Sequence, residues 1–517
     1  IINDIKNVKY DKPYIIRLLN SDIDNRFKKH IISMINNAYN DNNAKLNSWI
    51  DNVRRLPFGI YKGNNFEDYK SVSNVKKLLE NLQKDMDSAV FGHDKAKRKI
   101  VQFVAQKISN PKSKGNVLGL YGPPGNGKTT LIKQGLAKCL VDQHGNSRPV
   151  GFIPLGGTTG SSSLVGHSYT YQGSNWGRIV DILIDSECMN PIFLFDELDK
   201  VSKTDHGNEI IGILTHLTDS SQNSEFYDKY FDGVPLDLSK SLMVFTFNDI
   251  SVIDPILLDR MVVIKTEPLT IDDKKIVTRK HLIPQIVSGI DLEPESIIIE
   301  DELIEDIIVD YTREAGARQL KRILEDLIQE LNLRRLLDPG LGAELKIDED
   351  LICNVLHHLD KIRRESITDS ESTIIGQING MYANVLALGG ILPIQVCSSS
   401  GSDKLELTGM QGDVMKESMK CAKTMAYSML SMSGADETAI EELSKIGLHI
   451  HCPSTSMPKD GPSAGGAICL AIYSYISKRP ILQNVAMTGE IDLIGRITAI
   501  GGLEAKLHGA KKAGINT

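Results

Sequence analysis

A glycine-rich run, Gly122-Pro123-Pro124-Gly125-Asn126-Gly127-Lys128-Thr129-Thr130, constrains the fold of this chain more than any other feature. It follows a short apolar segment at 117–121 and precedes a segment of helical spacing at 131–139. A strand, a glycine-rich turn and a helix in that order make a phosphate-binding loop. The glycines let backbone amides turn toward an anion, Lys128 carries a point charge to the outer phosphates, and Thr129 offers a hydroxyl to magnesium. Its expected partner lies 68 residues beyond Lys128. There Ile192-Phe193-Leu194-Phe195 reads as a buried strand that delivers Asp196 to the metal and Glu197 to a water that attacks the terminal phosphate.

The surrounding pattern agrees with that loop. Between about 90 and 265, apolar runs at 117–121, 192–195 and 242–247 alternate with helix-like segments. This predicts a parallel α/β sheet with its chemistry at the carboxyl ends of the strands. Asn248 ends the third run, where an amide can orient the attacking water. Arg260 is a candidate to reach the nucleotide of a neighbouring copy, and Arg318 to contact the same nucleotide from the helical region; an ordinary ion pair is the competing reading for both. Residues 1–88 read as the helical end of an N-terminal domain, 89–268 as the α/β nucleotide-binding core, and 269–365 as a helical lid with Leu320, Ile323, Leu324, Leu327, Ile328 and Leu331 on one stripe. A polar linker at 366–376 leads to a second α/β domain at 377–517.

Composition excludes several classes. A chain of 517 residues, 41% apolar and 24% charged, has globular composition and room for about three domains. The net charge of −7 gives no whole-chain support for nucleic-acid binding. No apolar run approaches the ~18–20 residues that cross a bilayer; the longest, 467–476, reads as a buried element. Seven dispersed cysteines without a CxxC pair argue against a disulfide framework and suit a reducing compartment. His449 and His451 share one strand face, but no carboxylate or cysteine completes a metal set around them.

In the last domain, Met457-Pro458-Lys459-Asp460-Gly461-Pro462-Ser463-Ala464-Gly465-Gly466 places Ser463 near the start of a helix, where adjacent amides favour an oxyanion. A serine needs a base. Lys506, 43 residues on, is the candidate, with Leu503, Ala505 and Leu507 expected to remove part of its water and lower its pKa. On chemistry alone, a capping serine and a solvated lysine are the better reading.

The phosphate loop, Pro191-Ile-Phe-Leu-Phe-Asp-Glu-Leu-Asp-Lys, Leu257-Leu-Asp-Arg-Met, Tyr311-Thr-Arg-Glu-Ala-Gly-Ala-Arg, Pro458-Lys-Asp-Gly-Pro-Ser-Ala-Gly and Ala486-Met-Thr-Gly-Glu-Ile together resemble the Lon family of ATP-dependent serine proteases, in order from about residue 50 onward. The resemblance implies an AAA+ module using ATP and Mg2+, fused to a Ser–Lys peptidase, working on unfolded proteins as a homo-oligomer, a hexameric ring. It assigns Ser463 as nucleophile, Lys506 as base and Thr488 as a support for the lysine. It also implies a substrate-gripping pore loop at Ser168-Tyr-Thr-Tyr171-Gln172-Gly173, with Tyr171 in the aromatic position and Gln172 where the family carries an aliphatic residue. Glu504-Ala505 departs from the family's Lys and Glu before the base. The 68-residue interval leaves no space for the insert of the membrane-bound branch, so the match is to the soluble branch, in the cytoplasm or the mitochondrial matrix. By the same resemblance, both ends of the chain are expected to be cut. Two other classes compete: an unfoldase with an inactive peptidase domain, and a nucleic-acid-binding ATPase.

Overall fold

In a computed structural model, the protein is described except at residues 1–15, 17, 21–24, 41–43, 63–71, 111–116, 142–146, 159, 172, 291, 339–344, 360, 362–365, 368–370, 385–387, 403, 435–437, 439–440, 443–444 and 454–459. Gln172, part of the linker at 366–376, and the start of the serine motif (Met457 to Lys459) therefore lie outside the described residues. The chain forms two compact units, Ile1–Glu267 and Pro268–Thr517.

The first unit is built on five parallel strands: β1 (Val117–Tyr121), β2 (Val150–Pro154), β3 (Ile192–Asp196), β4 (Leu242–Phe247) and β5 (Val262–Lys265), in the order β2-β3-β4-β1-β5. The inner strands are apolar throughout because both faces are covered. On one face, Leu118, Leu120, Leu194 and Val244 meet Leu82, Met86, Ile100 and Phe103 from the helices Val72–Ala89 and Asp94–Ser109. On the other, Val117, Phe193, Phe195, Met243 and Phe245 join a core that reaches Trp49, Ile50 and Val53 of the helix Ala44–Val53. Phe195 and Phe245 stack across β3 and β4 with centroids 4.7 Å apart. Because β3, β4 and β1 are neighbours in the sheet, the residues that follow them gather at one edge.

The second unit begins with helices, including Ile271–Val277, Asp301–Tyr311 and Arg318–Leu337. The six apolar residues predicted on one stripe of the last are all buried, against Ile304, Ile307 and Ile308. A mixed sheet follows: β6 (Gln377–Ala383), β7 (Gly389–Ser402), β8 (Leu405–Thr408), β9 (Ile446–His451) and β10 (Ala486–Met487), in the order β8-β9-β7-β6-β10. Helices Asp413–Met432 and Gly465–Ser477 share its core through Met415, Met419, Ala422, Ala467, Ile468 and Ile472. The apolar run at 467–476 is thus the centre of a buried helix, and among the described residues no helix is long and apolar enough to cross a membrane.

The helix Leu503–Lys512 lies directly on β7. Their approach is closer than any side chain allows: a Cβ on Gly389 would sit 1.8 Å from the Ala505 carbonyl oxygen, and one on Gly509 would sit 2.1 Å from the Gly389 carbonyl carbon. The same helix is tied to Asp301–Tyr311, where Glu305 faces His508 at 3.1 Å and Lys275 at 2.5 Å, and Asp306 faces Lys512 at 2.8 Å.

The Phe195–Phe245 stack has no exposed surface, so Phe245→Ala leaves a cavity in the first unit. Scanning calorimetry is expected to show that unit's transition lowered by a destabilisation of about 3–5 kcal/mol, with the second unit's transition unmoved.

Candidate active sites

The predicted phosphate loop joins β1 to a continuous helical run, Lys128–Thr130, Leu131–Leu136 and Ala137–Cys139, whose middle part is π-helical. Gly122 and Gly127 show why glycine is required. Gly122 has φ 152°, and a Cβ there would lie 2.2 Å from Thr266 Oγ1; Gly127 has φ 87°. Buried Asn126 braces the turn by donating from Nδ2 to Thr266 Oγ1 at 2.8 Å. Lys128 Nζ donates to the carbonyls of Gly122 and Pro123 at 2.8 Å each and to Asn248 Oδ1 at 3.0 Å. Burial lowers the Lys128 pKa to about 8, opposed by the charges of Asp196 and Asp199.

Asp196, at the end of β3, accepts from Thr129 Oγ1 at 3.4 Å and from the Thr246 hydroxyl. A hydroxyl and a carboxylate set together at a phosphate loop fit a hard, oxygen-ligated cation such as magnesium. Glu197 is exposed with φ 58°, and its carboxylate reaches over Gly156, where a Cβ would stand 2.5 Å from Oε2. The structure therefore brings Gly122 to Thr130, Asp196, Glu197 and Asn248 to one edge of the sheet. Arg260 lies elsewhere in the unit, paired with Asp219 at 3.0 Å and donating to the Thr215 carbonyl. Arg318 opens the helix Arg318–Leu337 with an exposed side chain, its backbone N–H donating to Glu314 Oε2 at 2.8 Å. Tyr171 is 70% exposed.

In the second unit, Ser463 sits in a one-turn 3-10 segment, Pro462–Ala464, that runs into the helix Gly465–Ser477. Lys506 Nζ lies 2.9 Å from Ser463 Oγ and 3.2 Å from Thr488 Oγ1. The Thr488 hydroxyl donates to the Ser463 carbonyl at 3.2 Å, and Gly489 N–H donates to that same oxygen at 2.6 Å. Lys506 is only 4% exposed, and its burial lowers its pKa from the ordinary 10.5. Among the described residues its hydrogen-bond partners are the Ser463 and Thr488 hydroxyls. The three residues predicted to act together are together, although 25 and 43 residues separate Thr488 and Lys506 from Ser463.

The expected cause of the lysine's desolvation is corrected. Leu503 and Leu507 are 50% and 53% exposed. They lie on the outer side of their helix, whereas Lys506 shares the inward stripe with buried Ala510 on a helix seated closely on β7. Sequence reasoning also missed Asp460, whose Oδ1 accepts from Met415 N at 3.1 Å and Gly461 N at 2.9 Å and so ties the serine turn to the start of Asp413–Met432. An Asp-Gly pair signals such a turn locally, but not the helix it meets. Ser418 adds a hydroxyl on the Pro462 carbonyl at 3.2 Å. His449 and His451 both bond Thr408 Oγ1, and among the described residues no metal-binding group of His, Cys, Asp or Glu forms.

A phosphate loop on a parallel sheet, together in one chain with a buried serine–lysine pair, defines a nucleotide-binding module joined to a candidate peptidase domain. Residues 118–269 match the ATPase family associated with various cellular activities (AAA), 290–339 the Lon protease AAA+ ATPase lid domain, and 346–517 the Lon protease (S16) C-terminal proteolytic domain. A Lon protease homolog of Acanthamoeba polyphaga mimivirus is 36% identical over 537 residues, covering 92% of this chain and 52% of that protein. The Lon proteases of Clostridioides difficile (34% over 469 residues; 90% of this chain, 56% of that one) and Vibrio parahaemolyticus (36% over 445; 86% and 54%) are similar. The chain belongs to the Lon protease family, and spans about half the length of these curated relatives.

Gly389→Ala forces β7 away from the helix that carries Lys506. Hydrogen exchange is expected to show reduced protection across Leu503–Lys512, and labelling of Ser463 by a fluorophosphonate to slow by at least about tenfold, with nucleotide binding in the first unit unchanged.

Proposed function

We propose that this chain carries the ATPase and peptidase modules of an ATP-dependent serine endopeptidase that unfolds and cleaves protein chains. The observation that carries the reading is the 2.9 Å contact between Ser463 Oγ and a buried lysine amine of lowered pKa, in the same chain as a phosphate loop. In this reading 89–268 is the ATPase core, 269–365 its lid and 377–517 the peptidase domain. The neutral Lys506 amine takes the Ser463 proton as Oγ bonds to the substrate carbonyl carbon. Gly466 N–H is held by the Gly489 carbonyl, which leaves the amides of Ser463 and Ala464 to face the oxyanion. Lys506 then protonates the leaving amine; neutral again, it takes a proton from the water that attacks the acyl-serine and returns it to Ser463 Oγ as the ester bond breaks. Thr488 keeps the lysine aimed.

At the other site, ATP phosphates lie along the amides of 122–130. Lys128 turns from the loop carbonyls to the outer phosphates, Glu197 polarises the attacking water, and Asn248 orients it. Thr129 and Asp196 would hold magnesium, which would neutralise charge on the phosphates. A homo-hexameric ring would give Arg260 a neighbour's nucleotide to reach once it leaves Asp219, place Arg318 at its own, and turn Tyr171 toward the substrate. A cytoplasmic setting suits the free cysteines.

The test uses an unfolded protein substrate with ATP or ADP. Wild type is expected to cleave it with ATP; Ser463→Ala loses cleavage by at least about a thousandfold but keeps ATP hydrolysis, and Glu197→Gln loses ATP hydrolysis. ATP hydrolysis without any cleavage by wild type points instead to an unfoldase. A pH profile checks the base. Because burial favours the neutral amine, fluorophosphonate acylation of Ser463 should rise with pH through a midpoint below 10.5, and Lys506→Arg should flatten that rise.

A further inference from the structure

The loop 166–177 presents Tyr171 at its tip, yet its base is held by side chains far away in sequence. Trp49, fully buried on the helix Ala44–Val53, faces the Tyr169 ring at 6.2 Å and the Phe231 ring at 6.3 Å. Its indole N–H donates to the Tyr230 carbonyl at 3.0 Å, and three residues on, Asn52 Nδ2 donates to the Tyr230 hydroxyl at 3.0 Å. Trp176, on the returning arm, meets Tyr230 at 5.6 Å and Phe231 at 5.9 Å, with the Arg55 guanidinium 5.3 Å from its ring. The backbone closes the same base: His167 N–H donates to the Asn175 carbonyl at 3.0 Å, Lys229 N–H to the Val165 carbonyl at 2.8 Å, and Gly177 N–H to Asp228 Oδ2 at 2.8 Å. Asp228 is wholly buried, and burial raises its pKa to about 6.

Both arms of the loop therefore end in one nest of rings, and the N-terminal helix supplies its floor. Aromatic pairs with centroids about 4.5–7 Å apart prefer particular mutual orientations, so the pose of one ring constrains that of its neighbour. Tyr169 is two residues from Tyr171, so a shift of its ring on Trp49 changes where the tip points. We infer that Trp49 is a positioning residue for Tyr171: the N-terminal helix sets the height and angle of the exposed tyrosine through the Trp49–Tyr169 contact. This rests on the proposed reading of Tyr171 as a residue that grips a protein substrate.

The experiment compares three activities of the full chain: ATP hydrolysis, cleavage of a short peptide that needs no gripping, and degradation of an unfolded protein. Trp49→Leu is expected to keep the first two within about twofold and to slow protein degradation about tenfold, with Trp49→Phe restoring most of it. Tyr171→Ala is the comparator. If Tyr171→Ala degrades protein at the wild-type rate, the gripping role itself fails. If Tyr171→Ala is impaired and Trp49→Leu is not, the positioning role is overturned. Loss of all three activities in equal measure in soluble Trp49→Leu makes Trp49 merely structural, which also overturns it.

A second measurement needs no variant in the nest. The chain has two tryptophans, Trp49 and Trp176, and both lie there, so its indole emission reports this one place. In Ser463→Ala, with ATP present, a tryptophan-free unfolded polypeptide should shift that emission in a saturable way. Saturable binding measured on the polypeptide's own label, with unchanged indole emission, contradicts the coupling.

Discussion

Taking an ammonium group out of water costs several kcal/mol unless other oxygens replace its hydration, and a lysine that lacks them gives up its proton instead. At both candidate sites burial lowers a lysine's pKa, and the two differ in the oxygens that replace its water. Lys128 is surrounded by two carbonyls and an amide oxygen, with Asp196 and Asp199 close enough to favour its charge. It is an ammonium in waiting for phosphates. Lys506 has two hydroxyls among the described residues, and burial moves it toward the free amine. Carboxylate charges oppose the shift at Lys128, whereas burial alone acts on Lys506; in the proposed reading the first meets phosphates and the second takes the serine proton.

Local signals carried much of the fold and the sites' membership. The apolar runs of β1, β3 and β4 and the stripe Leu320 to Leu331 are read from spacing that depends only on near neighbours. The glycine-rich loop and the serine turn are compact motifs, and Asp196 and Asn248 follow from their places at strand ends. What stayed hidden are contacts between distant segments. Nothing near Asn126 points to Thr266, nothing near Asp460 points to Met415, and nothing near Trp49 points to Tyr169. The desolvation of Lys506 was misread for the same reason. Apolar neighbours in sequence were credited, but helical phase turns Leu503 and Leu507 outward while a strand more than a hundred residues earlier covers the amine's helix.

Arg260 is already engaged within its own unit. Its guanidinium already has a carboxylate, Asp219, and a carbonyl, Thr215. Any call on it from a neighbouring copy must compete with those two acceptors. The pair is part-exposed, so any such competition is between modest interactions.

The glycine-to-glycine contact between β7 and the helix Leu503–Lys512 has a mechanical side. Two backbones in direct contact leave no side-chain layer to shear, so strand and helix behave as one stiff plate, with Lys506 riveted to it. Ser463 belongs to a different plate, made of its turn and the helices Gly465–Ser477 and Asp413–Met432 that share Asp460 and Ser418 as fasteners. The seam between the plates is spanned by the lysine's own bonds to two hydroxyls and the threonine–glycine clasp on the serine carbonyl. A displacement of the helix Leu503–Lys512 would therefore carry β7 with it, rather than move Lys506 alone.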